Sequence, residues 1–103
     1  MSKHQNITED QLDLMHIIEC DSNASQRQIA QKTGLSIGKV NYCLKALIDI
    51  GFIKVDNFNK SSQKINYAYI LTPKGMQEKV VVTKKFIIKK KQEYDKLNSY
   101  IIK

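Results

Sequence analysis

Residues 38–45 hold side chains suited to reading a nucleic acid. Val40, Leu44, Leu47 and Ile50 recur at steps of four, three and three, one face of an α-helix, and leave Gly38, Lys39, Asn41, Tyr42 and Lys45 outward. On that side Lys39 can donate to guanine O6 and N7 or to a phosphate, and Asn41 can make the two-bond contact to adenine. Tyr42 can donate to a phosphate or pack on a thymine methyl, and Gly38 lets the backbone come close. Lys45, a turn further on, is placed for backbone rather than base. Arg27 is suited to clamp a phosphate, with an ion pair to Asp49 or Glu19 as the structural alternative. A helix presenting such groups fits the major groove of double-stranded DNA; a solvated helix face is the bland alternative.

Local signals around these residues define the elements that must hold them. Ser25 followed by Gln28 is a capping box that starts a helix, and Gly34 stops it in the left-handed conformation. Ser36 then caps the next helix, over residues 36–50, and is counted with the DNA-facing set; Gly51 ends it. Residues 25–50 therefore read as a helix-turn-helix. Upstream, residues 1–6 are a polar tail, and Thr8 with Gln11 forms a second capping box. The helix it starts carries Leu12, Leu14, Met15, Ile17 and Ile18, an apolar surface wide enough that part of it is expected to meet a second surface such as a partner subunit.

Downstream, residues 52–55 and 67–71 read as short strands around a polar stretch, 56–66, that carries Lys60 and Lys64. The hairpin is expected to lie as a wing on a minor groove or sugar-phosphate backbone; a surface hairpin with solvated lysines is the alternative. Thr72 and Pro73 open a last helix, with Gly75 expected only to weaken its first turn. Along it Met76, Val80, Thr83, Ile87, Lys90, Tyr94, Leu97 and Ile101 step alternately by four and three, a heptad seam with one charged member, flanked by Val82 and Phe86. A helix of this length is on the order of 40 Å at 1.5 Å per residue, longer than a small domain can cover. The expectation is a homodimer through residues 73–103, against packing on helix 1 or fraying beyond Lys89.

Composition limits the function classes. A chain of 103 residues, 42% apolar, buries one modest core. No apolar run approaches the roughly 18 residues of a membrane span, so a soluble, cytoplasmic protein without membrane contact is expected. The formal charge of +7 is uneven: residues 1–24 carry a net −4 and the remaining 79 a net +11, beginning where the helix-turn-helix begins. Clustered cations release counterions from a phosphate backbone, which points to a polyanionic partner, although a generally lysine-rich chain would look similar. RNA fits less well, since no aromatic base-stacking sheet motif is present. His16 and Cys20 share a helix face and could join Cys43 as a metal or redox sensor, but two thiols and one imidazole favour packing; no metal and no cofactor are expected. No catalytic triad, phosphate loop or spaced carboxylate pair occurs in a plausible context, so no enzyme is expected. Nothing in the sequence names a small-molecule effector.

The expected fold is mainly α with a small β-hairpin: a winged helix-turn-helix over 7–72 and a long C-terminal helix. This order of elements resembles the winged helix-turn-helix regulators of the MarR type. The phrases S-Q-R-Q-I-A, T-G-L-S-I-G-K-V-N-Y-C-L-K-A-L, I-G-F-I-K-V and Y-A-Y-I-L-T-P-K-G, with the K-x-x-E-Y-like stretch at residues 90–94, are similar to the short MarR-type regulators associated with exopolysaccharide loci. The resemblance implies a dimeric, DNA-binding transcriptional regulator near polysaccharide genes. A winged-helix module that docks onto a protein is the competing expectation.

Overall fold

Each of the first three helices begins where a side-chain oxygen covers an amide that the helix itself leaves unpaired. Thr8 Oγ1 accepts from Gln11 N at 3.1 Å while Gln11 Oε1 accepts from Thr8 N at 3.0 Å. Ser25 and Gln28 repeat the exchange at 3.1 and 2.8 Å, and Ser36 Oγ accepts from Lys39 N at 3.0 Å. Each cap is worth about 1 kcal/mol. At the other ends, Gly34 and Gly51 take φ of 80° and 93°, the left-handed region where a side chain is strained. The structure, a computed structural model, describes residues 6–59 and 66–101. Its elements are α1 (Glu9–Cys20), α2 (Gln26–Thr33), α3 (Ile37–Ile50), β1 (Ile53–Asn59), β2 (Asn66–Leu71) and α4 (Pro73–Ile101).

The core lies between α1, α2 and α3 and is closed by the root of the hairpin and the first half of α4. Leu14, Met15 and Ile18 of α1 meet Ile29 of α2 and Val40, Cys43, Leu44 and Leu47 of α3, all nearly inaccessible, with Phe52, Ile53, Leu71 and Val82 around them. Leu12 and Ile17 pack at the edge of this cluster. The wide apolar surface of α1 is therefore used within the chain, by α2, α3, β2 and α4, and does not wait for another subunit.

β1 and β2 pair antiparallel with Ile53 opposite Leu71, Lys54 opposite Ile70 and Val55 opposite Tyr69. β1 runs to Asn59, beyond the residues 52–55 expected from sequence, because cross-strand pairing supplies the backbone partners that a polar, turn-rich composition argued against. Lys60 and Lys64, expected at the tip of the hairpin, lie outside the described residues.

The entry to α4 is closely packed. Thr72 Oγ1 donates to the Gly51 carbonyl at 2.7 Å and accepts from Gly75 N at 3.0 Å, tying the end of α3 to the start of α4. Gly75 is buried, and a β-carbon there would overlap the Phe52 carbonyl oxygen and meet Leu71 Cδ1 at 3.0 Å. Its role is thus close packing, a correction to the expectation that it merely weakens a helix turn. Further along, Lys79 meets Glu19 at 2.6 Å and Lys90 meets Glu9 at 3.0 Å, so α4 runs along α1. Two sequence expectations change here. Lys90 is drawn out of the heptad seam to α1, its ammonium pKa raised by the Glu9 carboxylate, and Glu19 takes Lys79 as partner rather than Arg27.

From Ile87 to the end of α4 every described residue is exposed. At 1.5 Å per residue the 29 residues of α4 span roughly 43 Å, and the longest dimension of the molecule is 67 Å.

Two glycines in helices should respond oppositely to alanine. Gly75→Ala must displace backbone and should cost about 1–3 kcal/mol in denaturant unfolding. At Gly38 the nearest atom to an added β-carbon is Ser36 Oγ at 4.0 Å, so Gly38→Ala should be neutral or stabilise by roughly 0.5 kcal/mol. Equal effects would refute the packing role of Gly75.

Candidate nucleic-acid interface

The turn between α2 and α3 is built from three successive residue types. Thr33 Oγ1 donates to the Ile29 carbonyl at 2.8 Å and accepts from Leu35 N at 3.2 Å, closing the end of α2 over the left-handed Gly34. Ser36 then caps α3. This fixes the direction of α3, and burial of Val40, Cys43, Leu44 and Leu47 fixes its rotation. Cys43, for which the sequence favoured apolar packing over a sensor role, occupies the middle of that inner face.

The opposite side is open. Gly38, Lys39, Tyr42 and Lys45 are exposed, Tyr42 by 67%. At 100° per residue Gly38, Tyr42, Lys45 and Asp49 fall within about 60° of arc, so the carboxylate of Asp49, also exposed, marks the acidic end of the surface. Ile37, absent from the sequence-derived set, is 47% exposed beside Ser36 at the start of α3. Arg27 is exposed on α2 and has no carboxylate within ion-pair distance among the described residues. Among the described residues Gly38 has no neighbour that demands a glycine, since an added β-carbon approaches nothing closer than 4.0 Å.

Asn41 differs from the rest. It is half-buried, and its Nδ2 donates to Gln26 Oε1 at 3.4 Å, while Gln26 Nε2 donates to the Tyr69 hydroxyl oxygen at 3.1 Å. Sequence reasoning missed both partners. Gln26 looked like an ordinary first-turn residue, and Tyr69 like one β-former among several; no local signal joins residues 43 apart.

The sulfur and imidazole groups stay apart from this surface. Cys43 is buried, which pushes its thiol pKa up, whereas Cys20 is exposed on α1 with its sulfur 3.8 Å from His16 Nε2. Among the described residues no group of three His, Cys, Asp or Glu side chains could hold a metal ion. The His16, Cys20 and Cys43 trio considered from sequence does not assemble, because helix rotation buries one thiol and exposes the other.

Residues 11–54 match the family model described as winged helix-turn-helix DNA-binding. The chain carries a winged helix-turn-helix domain. Within it α2 and α3 form the helix-turn-helix and the β1–β2 hairpin the wing. The fold is shared with solved MarR-type structures. The MarR/EmrR family transcriptional regulator from Acinetobacter sp. ADP1 is 26% identical with a TM-score of 0.64, over 85% of this chain and 60% of that one. FabT from Streptococcus pneumoniae, solved in complex with DNA, is 16% identical with a TM-score of 0.65, over 91% and 64% of the two chains. The transcriptional regulator SlyA is 18% identical with a TM-score of 0.68, over 94% and 72%. The chain thus spans about three fifths of the length of the Acinetobacter regulator. Among curated proteins no match to the chain is found. No described helix of the winged helix-turn-helix chain is long and apolar enough to cross a membrane.

Away from the open face of α3, the first turns of α1 concentrate negative charge. Burial raises the Asp13 carboxyl pKa above its usual 3.8, and the Glu9 and Asp10 carboxylates add to the rise, with His16 opposing it. A raised folded-state pKa means that ionised Asp13 costs stability above the unfolded-state pKa and that the cost vanishes as pH falls below it. Asp13→Asn should therefore stabilise the fold at pH 7, by no more than about 0.5 kcal/mol at a solvent-screened site, and so raise the melting temperature there while leaving it unchanged near pH 3. Thermal unfolding at both values checks this; a gain that persists in acid would exclude the charge as its cause.

Proposed function

We propose that this chain is a sequence-specific, double-stranded-DNA-binding transcriptional regulator that acts in the cytoplasm as a homodimer. The observation that carries the reading is the outer face of α3, where Gly38, Lys39, Tyr42 and Lys45 are exposed and no packing contact accounts for a glycine. A helix surface held rigid from behind and left small and cationic in front has the chemistry that a major groove requires. Support comes from the winged helix-turn-helix match and from the fold shared with FabT, whose structure holds DNA. In this reading Lys39 and Asn41 meet base edges, Tyr42 a phosphate or thymine methyl, and Arg27, Ser36 and Lys45 the backbone, while Lys60 and Lys64 of the wing follow the backbone or minor groove. The likeness of the sequence phrases to short exopolysaccharide-associated regulators supports polysaccharide genes as targets.

The dimer reading rests on α4. Gly75, Val82 and Phe86 pack toward the domain, whereas Met76, Val80, Ile87, Tyr94, Leu97 and Ile101 are 46–78% exposed and Thr83 is half-buried beside them. These stripes are centred roughly a quarter-turn apart at 100° per residue. Contiguous exposed apolar surface of this kind marks an interaction site, and a second copy of α4 satisfies it by twofold symmetry.

DNA from the chain's own promoter should bind with an affinity that falls steeply with salt. Replacing Lys39 and Asn41 together by alanine should weaken that binding by about 10–100-fold, and Gly38→Ala should weaken it without loss of stability. Both are measured by fluorescence anisotropy at two salt concentrations. Indifference of the intact chain to duplex DNA at low salt would sink the proposal, and loss of a protein partner with DNA binding intact would favour a docking module instead.

The dimer has its own test. Ile87→Asp with Leu97→Asp alters exposed residues only, so the domain should stay folded while the mass in solution halves, and DNA affinity should fall by at least about tenfold as the second recognition helix is lost. A mass unchanged by the substitutions would remove α4 as the dimer element.

A further inference from the structure

A half-buried chain of hydrogen bonds behind α3 reaches the Asn41 amide. Gln26 is the first residue of α2 and faces both Asn41 on α3 and Tyr69 on β2, so three elements meet at one side-chain amide. Tyr69 is itself held firmly: its ring packs at the edge of the core, and its backbone N–H donates to the Ser22 carbonyl at 3.2 Å. A glutamine anchored at a tyrosine hydroxyl presents Oε1 to Asn41, and Asn41 answers with Nδ2.

An asparagine amide has two N–H donors and one carbonyl acceptor. One N–H is occupied by Gln26. What remains is one N–H beside Oδ1, a donor and an acceptor in fixed order. Adenine offers the complement in the major groove, the N7 acceptor and the N6 amino donor, whereas guanine offers two acceptors, N7 and O6. An unrestrained amide can rotate its NH₂ toward guanine at little cost; one tied to Gln26 must break a shielded hydrogen bond to do so.

From this geometry we infer that Gln26 and Tyr69 are positioning residues that lock the Asn41 amide and make the recognition helix reject guanine where it reads adenine. The inference rests on the reading of α3 as a DNA-reading helix and adds two residues that lie outside its exposed face. It also couples the wing to base reading, since Tyr69 belongs to the strand that forms the wing's base.

The test starts from the duplex that the intact chain selects out of a random pool. Each adenine of that duplex is replaced in turn by guanine, with the pairing base changed to match, and affinities are compared for four variants. In the intact chain one position per half-site should lose about tenfold on replacement, the scale of a bidentate amide contact. Asn41→Ala should abolish that preference. Tyr69→Phe and Gln26→Met, which keep bulk and remove the hydrogen bonds, should shrink it to within about threefold at the same position only, with salt dependence and the other positions unchanged. Gln26→Glu, which still accepts from Asn41 Nδ2 and from the Tyr69 hydroxyl, should retain the preference while lowering overall affinity through its charge. Melting temperatures identify any variant that fails to fold, and the remaining variant of the Tyr69 and Gln26 pair then decides. A preference that survives both Tyr69→Phe and Gln26→Met, or the lack of any adenine position sensitive to Asn41→Ala, overturns the lock. Failure of the intact chain to select any duplex overturns the proposed function itself, a result distinct from both.

Discussion

Burial of one side of α3 against α1 is the constraint on which the rest depends. Leu14, Met15 and Ile18 from α1 and Val40, Cys43, Leu44 and Leu47 from α3 form the least accessible part of the molecule. Each of the larger side chains contributes about 2 kcal/mol when fully removed from water. Rotating α3 by one residue, about 100°, would bring Lys39 or Lys45 toward this cluster at the cost of desolvating an ammonium. The inner face therefore sets the outer one, and the exposure of Gly38, Lys39, Tyr42 and Lys45 is a consequence of packing they take no part in.

The same economy of space governs α4. Because Gly75 has no side chain, the helix can start directly above the Phe52 carbonyl, and Thr72 bridges the end of α3 to the new helix at 2.7 and 3.0 Å. From that fixed origin α4 passes along α1, where Lys79 and Lys90 find Glu19 and Glu9. Those pairs are partly solvated and modest in energy. Their value is geometric: they give part of the acidic charge of residues 1–24 a structural use.

Polar contacts link elements alongside the apolar packing. The Tyr69, Gln26 and Asn41 chain joins the hairpin, α2 and α3 through side chains that are half-buried, a setting in which a hydrogen bond is shielded from competing water and a broken one is costly.

Local chemistry was fully legible in the sequence. The capping boxes at Thr8 and Ser25, the cap at Ser36, the left-handed stops at Gly34 and Gly51 and the period of Val40, Leu44 and Leu47 depend on residues within a few positions of one another, and all appear in the structure. Order and type of the elements followed from them, and with these the winged helix-turn-helix architecture. What spans distant parts of the chain was decided by the fold. Gly75 looked like a weak helix residue because its neighbour, the Phe52 carbonyl, is supplied by a strand start 23 positions away. Lys90 counted as a flaw in a heptad until α1 brought Glu9 to it, and the apolar breadth of α1 suggested a partner until four elements covered it. Asn41 was singled out in the sequence by type and position, whereas its hydrogen-bonded link through Gln26 to Tyr69 was not. Periodicity reports which face of a helix is buried, but which side chains meet across that face is set only when the helices and the hairpin are packed together.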